Sequence, residues 1–226
     1  MKHALDPKGW DVDIISMSFG FGKTNKTHDV IEQTILKHSS QRQILFAAAA
    51  NHGNNQSYIA YPARINRVIC VKSSNSYGNP STFSPRYSQR EGMAFFTLGE
   101  EVLSMWRSSW ENGVRILQRR ATGTSVATPI AAGIAALVLE FINQPDKPND
   151  LPYLKEILEK FKVDPNDRMT RILEAMSDVK NSAEYGKIRY IVPWSWLKST
   201  SDSDEDLSPR TPRLEAAYKI YECVKQ

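Results

Sequence analysis

The sequence predicts an α/β protein built on a parallel sheet, and three stretches predict it. Two short apolar runs, residues 11–19 (DVDIISMSF) and 43–50 (QILFAAAA), flank residues 27–40, where Val30, Ile31, Thr34, Ile35 and His38 recur at helical spacing. Strand, helix and strand with short joins form a right-handed βαβ unit, so the two strands run parallel. The third stretch, residues 121–141 (ATGTSVATPIAAGIAALVLEF), is a helix of small apolar residues that can pack closely among other elements.

Composition sets the outer bounds. The chain has 226 residues, 41% of them hydrophobic, which suits one domain with a C-terminal appendage and a sizeable core. The net charge is only +4, and apart from Arg115, Arg119 and Arg120 the basic residues are scattered, which argues against a nucleic-acid partner. Two cysteines, Cys70 and Cys223, offer neither a disulfide framework nor metal-ligand spacing, so no metal or cofactor is expected. The N-terminal MKHALDPKGW lacks the apolar run of a signal peptide, and no stretch reads as a membrane span, so the chain as written is expected to be intracellular.

Taken in order, the run at 11–19 is a buried strand ending at Gly20 and Gly22. Gly22-Lys23-Thr24 invites a phosphate-loop reading, but that motif needs a glycine where Met17 stands. Residues 27–40 are an amphipathic helix capped by Thr27 or Asp29, and 43–50 the next buried strand, broken by the turn-rich Asn51-His52-Gly53-Asn54-Asn55. Strands are expected at 67–73, 93–98 and 102–106, and the polar, basic stretch 107–120 is a hairpin or loop returning to Ser125. Beyond a Pro-rich and Asp-rich connector at 143–152, short helices are expected at 151–161 and 170–179, the second with Met169, Ile172, Leu173 and Met176 on one face. The apolar, aromatic stretch 190–194 should pack as the last element of the domain. Residues 199–212 (STSDSDEDLSPRTP) have the composition of a disordered tether, and 213–225 that of a short amphipathic helix whose partner the sequence does not name.

The chemistry concentrates at Ser125. A side chain in the first helical turn faces unpaired N–H groups and the positive end of the helix dipole. Ser125 has two plain readings, a helix cap or a nucleophile. A nucleophile elbow is excluded, because Ala127 stands where that motif needs glycine. The longer string Gly123-Thr124-Ser125-Val126-Ala127-Thr128-Pro129, followed by Ala132-Gly133, resembles the nucleophile motif of the subtilisin-like serine proteases. Ala48-Ala49-Ala50-Asn51 resembles the family's A-A-G-N string, and Ser18-Phe19-Gly20 its S-L-G cleft segment. Tyr61-Pro62-Ala63, the strand at 67–73 and Thr82-Phe83-Ser84 follow in family order, so the resemblance runs from 11 to 141.

That resemblance implies a three-layer subtilisin-like fold without its N-terminal strands, over residues 1–198, with 199–226 appended. It implies a polypeptide substrate, Ser125 as nucleophile and Asn51 as oxyanion donor beside a backbone N–H of the serine helix. Ser18, Phe19, Gly20, Ala48, Ala49, Ala50, Gly123 and Thr124 would line the substrate site. Ala50 departs from the family glycine, and Phe19 from the commoner leucine suggests an apolar wall.

The family's base and its orienting aspartate lie in a D-[ST]-G turn and an H-G-T-H-V-A-G helix, and neither motif occurs here. The histidines are His3, His28, His38 and His52; Asp11 and Asp13 lack the Ser/Thr-Gly that follows the family aspartate. The expectation is a serine endopeptidase whose Asp and His are absent from this chain, which alone should have negligible activity. The alternatives are an inactive pseudoprotease that binds peptide, and an unrelated nucleotide-binding α/β domain. The triplets Asn25-Lys26-Thr27 and Asn55-Gln56-Ser57 fit the glycosylation pattern and would matter only in a secreted protein.

Overall fold

A computed structural model describes residues 2–6, 8–22, 26–38, 42–53, 59–86, 93–111, 114–143, 154–196 and 212–225. The elements in order are α1 (Lys2–Leu5), β1 (Ile14–Met17), α2 (Lys26–His38), β2 (Ile44–Ala48), β3 (Ile69–Ser74), β4 (Ala94–Leu98), β5 (Val102–Glu111) and β6 (Val114–Ala121). Then come α3 (Thr124–Asn143), α4 (Leu154–Val163), α5 (Pro165–Ala175), β7 (Ser177–Ser182), β8 (Gly186–Ile191), a 3-10 turn (Pro193–Trp196) and α6 (Pro212–Val224). A six-stranded sheet has the order β1-β2-β3-β4-β8-β7, and β5 and β6 form a separate two-stranded ribbon. In the main sheet the neighbours from β1 to β8 are parallel and β7 pairs β8 antiparallel; β5 and β6 are also antiparallel.

Alternation along the central strands divides their side chains between two cores. On one face Ile44, Phe46, Ile69, Val71 and Phe95 pack with Ala127, Ala131, Ala135 and Val138 of α3 and with residues of α4, α5 and α6. On the other, Leu45, Ala47 and Cys70 pack with Ile35 of α2 and with Ile59, Ile65 and Val68. Helices and connecting segments on both sides are what near-continuous apolar parallel strands require, and the result is the expected three-layer α/β fold. The Asn166 side chain on α5 accepts the Leu45 N–H at 3.0 Å, pinning that helix to the start of β2.

Four expectations are corrected. The helix placed at 170–179 begins instead at Pro165 and ends at Ala175. Asp164 caps it, accepting from the Asp167 N–H, and Pro165 occupies the first turn, where proline is well tolerated. Met169, Ile172, Leu173 and Met176 are all buried, as the periodicity predicts. Residues 177–182 are strand β7, and the aromatic stretch at 190–194 overlaps β8, which joins the main sheet through the pair Phe96–Tyr190. The C-terminal helix finds its partner within the chain, with Ala217, Ile220 and Val224 buried against the α3–α5 layer. Most of the expected tether, 199–211, lies outside the described residues.

The fourth correction concerns α3. Its 20 residues, with mean hydropathy 1.9 over an 18-residue window, are long and apolar enough to cross a membrane by length and composition alone. A helix designed to be covered on every side needs the same composition, and α3 lies across β1, β2, β3 and β4.

Candidate active site

The strands β1 to β4 deliver their carboxyl ends to one rim of the sheet, where open α/β folds place their ligands. Ser18-Phe19-Gly20 follows β1, Asn51 lies just beyond β2, and Gly99 follows β4. Gly123 donates to the Gly99 carbonyl at 2.8 Å, which anchors the turn before α3 to that rim. The Thr97 hydroxyl on β4 donates to the Ala127 carbonyl at 2.9 Å and fixes the first turns of the helix.

Asn51 and the start of α3 form one hydrogen-bonded unit. Asn51 Oδ1 accepts the Thr124 N–H at 2.8 Å and the Thr124 hydroxyl at 3.0 Å. With its oxygen taken by two donors, the amide turns its NH2 the other way. Gly123, at φ 148°, leaves the space it faces: an added Cβ would stand 3.1 Å from Asn51 Nδ2 and 3.2 Å from Ser125 Oγ. Thus Nδ2 and the Ser125 hydroxyl converge on the same small volume. In the first turn, Val126 and Ala127 donate to the Gly123 carbonyl, and among the described residues no group accepts the Ser125 N–H. Two donors and a hydroxyl meeting at a helix N-terminus can hold a tetrahedral oxyanion while the hydroxyl attacks.

Ala50 stands at φ 132°, a region that favours glycine, so the departure from A-A-G-N puts backbone strain immediately before Asn51. Ala48 and Ala49 are buried, and Ala49 donates to Val71 and accepts from Ala60. These two expected lining residues therefore stand behind the cleft and support it. Thr124 is likewise buried and donates both its N–H and its hydroxyl to Asn51. Ser18, Phe19 and Gly20 are exposed.

Phe21, which the motif comparison passed over, bonds Tyr61 in both directions at 2.9 and 3.0 Å and packs edge-on against Phe19. Its signal in the sequence was an extra aromatic between two glycines. The pair gives the rim beyond β1 an apolar, partly exposed wall.

Among the described residues no imidazole is hydrogen-bonded to Ser125 Oγ. His52 is exposed on the loop after Asn51, His3 packs against Trp10, and His28 and His38 belong to α2. A cavity of about 540 Å³ lies elsewhere, between the starts of β4 and β8, lined by Lys72, Phe96, Tyr185 and Arg189 among others.

The fold and this rim define an α/β protein with a serine at the carboxyl edge of its parallel sheet. The profile of the Subtilase family, Peptidase S8, matches residues 4–170, and the chain belongs to that family. Subtilisin DY of Bacillus licheniformis is 34% identical over 130 residues, covering 57% of this chain and 43% of that protein. The subtilisin-like protease het-Q2 of Podospora anserina is 24% identical over 204 residues, covering 89% of this chain and 54% of that one. Among solved structures, the prenylagaramide maturation protease PagA superposes with a TM-score of 0.53 at 21% identity, over 94% of this chain and 62% of that chain. The self-cleaved protease domain of PatA gives 0.52 at 21%, over 95% and 62%. These structures share the fold. The chain spans about half the length of the curated relatives Subtilisin DY and het-Q2.

Proposed function

We propose that this chain supplies the nucleophile and oxyanion hole of a subtilisin-type serine endopeptidase. Ser125 attacks the peptide carbonyl, and Asn51 Nδ2 with the Ser125 N–H receives the oxyanion. The exposed backbone of Ser18-Phe19-Gly20 takes an extended substrate strand, with Phe19 and Phe21 against an apolar side chain. The histidine base and its aspartate come from outside the chain. The observation that carries this reading is the capture of Asn51 Oδ1 by Thr124, which aims Nδ2 at the space beside Ser125. It is tested with the endogenous product, isolated from its source cells, on a labelled extended peptide. Turnover lost in Ser125→Ala supports the assignment; equal turnover by the variant refutes it.

A second reading, a pseudoprotease that binds peptide without cleaving it, draws on the finding that among the described residues no imidazole is hydrogen-bonded to Ser125 Oγ. Specific peptide binding with no turnover in the same endogenous material selects it.

A further inference from the structure

We propose that the β5–β6 ribbon is an exosite that holds an acidic and apolar segment of the polypeptide substrate, on the side of the scissile bond away from Ser18-Phe19-Gly20. The link to cleavage rests on the endopeptidase reading; the peptide-binding surface does not.

The ribbon stands apart from the main sheet. Among the described residues no third strand pairs with β5 or β6, and the two pack chiefly on each other. Gly99 and Gly123 are already hydrogen-bonded at 2.8 Å, so a short turn would join β4 to α3. Strands of ten and eight residues stand there instead.

The ribbon's apolar side chains face water. Leu103 lies across from Arg120 and Met105 from Gln118, so these four share one face. Leu103 is 58% exposed and Met105 74%. On the other face Leu117 is also exposed, two residues from Arg119. Large apolar groups left in water beside cations mark a surface that binds.

Charge selects the occupant. From Val102 to Ala121 the chain carries Arg107, Arg115, Arg119 and Arg120 against Glu111 alone. A second copy of the chain would set like charge against like. Entry into an anionic lipid surface would leave the backbone groups along the outer edge of each strand unpaired in hydrocarbon. An extended peptide pairs with such an edge, and its alternating side chains can offer acids to the arginines and apolar contact to Leu103 and Met105.

Placement makes that peptide the substrate. Ser18-Phe19-Gly20 follows β1, Asn51 follows β2, and the ribbon leaves from the end of β4, so Asn51 and Ser125 lie between the cleft segment and the ribbon. The base of the ribbon is tied to the serine turn. Besides the Gly123–Gly99 bond, the Arg120 guanidinium donates to the Glu101 carbonyl at 2.7 Å and the Glu101 N–H to the Thr122 hydroxyl at 3.0 Å. A segment held on the ribbon is thereby held at a fixed reach from Ser125.

The test uses fluorescent peptides that share one core and carry, at either end, a flank of alternating glutamate and leucine, with matched peptides in which lysine replaces glutamate. Fluorescence polarisation with purified residues 1–226 reads binding. The glutamate peptide should bind about tenfold tighter than its lysine counterpart, and Met105→Asp should abolish that preference with circular dichroism unchanged. Leu103→Asp serves if the first variant does not fold. Equal binding of the two peptides, or a preference that survives in the variant, overturns the exosite. So does Met105-dependent capture of phosphatidylserine vesicles, or of a second copy, in place of the peptide. Turnover by the endogenous product, isolated from its source cells, then reads kcat/KM. A glutamate flank at one end should raise it about tenfold over the bare core, and the ratio should fall toward one in Met105→Asp. Cleavage with no advantage from either flank, or an equal one from both, overturns the exosite and keeps the endopeptidase reading. A binding preference with no cleavage of any peptide keeps the binding surface and sinks that reading.

Discussion

Asn51 illustrates how a single side chain is given its role by its neighbours. Its oxygen is held by two groups of Thr124, so the amide has one orientation to offer the serine. In subtilisin, loss of an oxyanion donor lowers turnover by about 100- to 1000-fold, and on the endopeptidase reading Asn51→Leu in the endogenous product should lose a similar factor. Thr124→Val removes one of the two restraints and should give a smaller loss in kcat than Asn51→Leu; an equal or larger loss would assign Thr124 a direct role. Ala50 provides a stability test. Because φ 132° suits glycine, Ala50→Gly should raise stability by about 1 kcal/mol, read as a higher denaturation midpoint. A lower midpoint would show that the backbone there is relaxed. Burial, with Glu222 nearby, pushes the Cys223 thiol up to about 11, and Cys70 is buried, so neither should alkylate at pH 8 until the chain unfolds.

At the scale of elements, α5 and β8 are joined by Glu174. Burial works against its charge, but hydrogen bonds and attraction from Arg189 and Lys187 outweigh that and hold the carboxyl below its ordinary value. A carboxyl whose folded value is lowered contributes stability above its unfolded value and loses it as pH falls through the folded one. Stability should therefore decline as pH falls below the usual glutamate range, around 4.5, and Glu174→Gln should lower the curve above that range and flatten the decline below it. An unchanged slope in the variant would remove Glu174 from the account.

The elements also show what the sequence made legible. The strands around 14–17, 44–48, 69–74 and 94–98 were readable because apolar residues in short, bounded runs leave few alternatives. β7 was not, because an edge strand of polar residues has no period-two signal and its partner β8 lies across a tight turn. α5 was placed late because its start is set by Asp164 and Pro165, while the apolar periodicity becomes clear only from Met169.

The whole molecule explains why the site was legible only in half. Motif residues at the carboxyl ends of β1 and β2 and at the start of α3 converge because parallel strands deliver their ends to one rim. Phe21 and the supporting role of Ala48 and Ala49 required the loop geometry and burial that follow from that convergence. The described residues bring His52 to that rim beside Asn51, but no imidazole among them is hydrogen-bonded to Ser125 Oγ. The same molecule leaves Ile14 and Ile15 of β1 only half-buried and Leu137 of α3 exposed.

The most direct measurement is fluorophosphonate labelling of purified residues 1–226, with Ser125→Ala as the control. In subtilisin, loss of the histidine alone lowers turnover about a millionfold, so the chain by itself should remain unlabelled. Labelling of the purified chain that disappears in Ser125→Ala would contradict this account, since it would mean that a working base is already present.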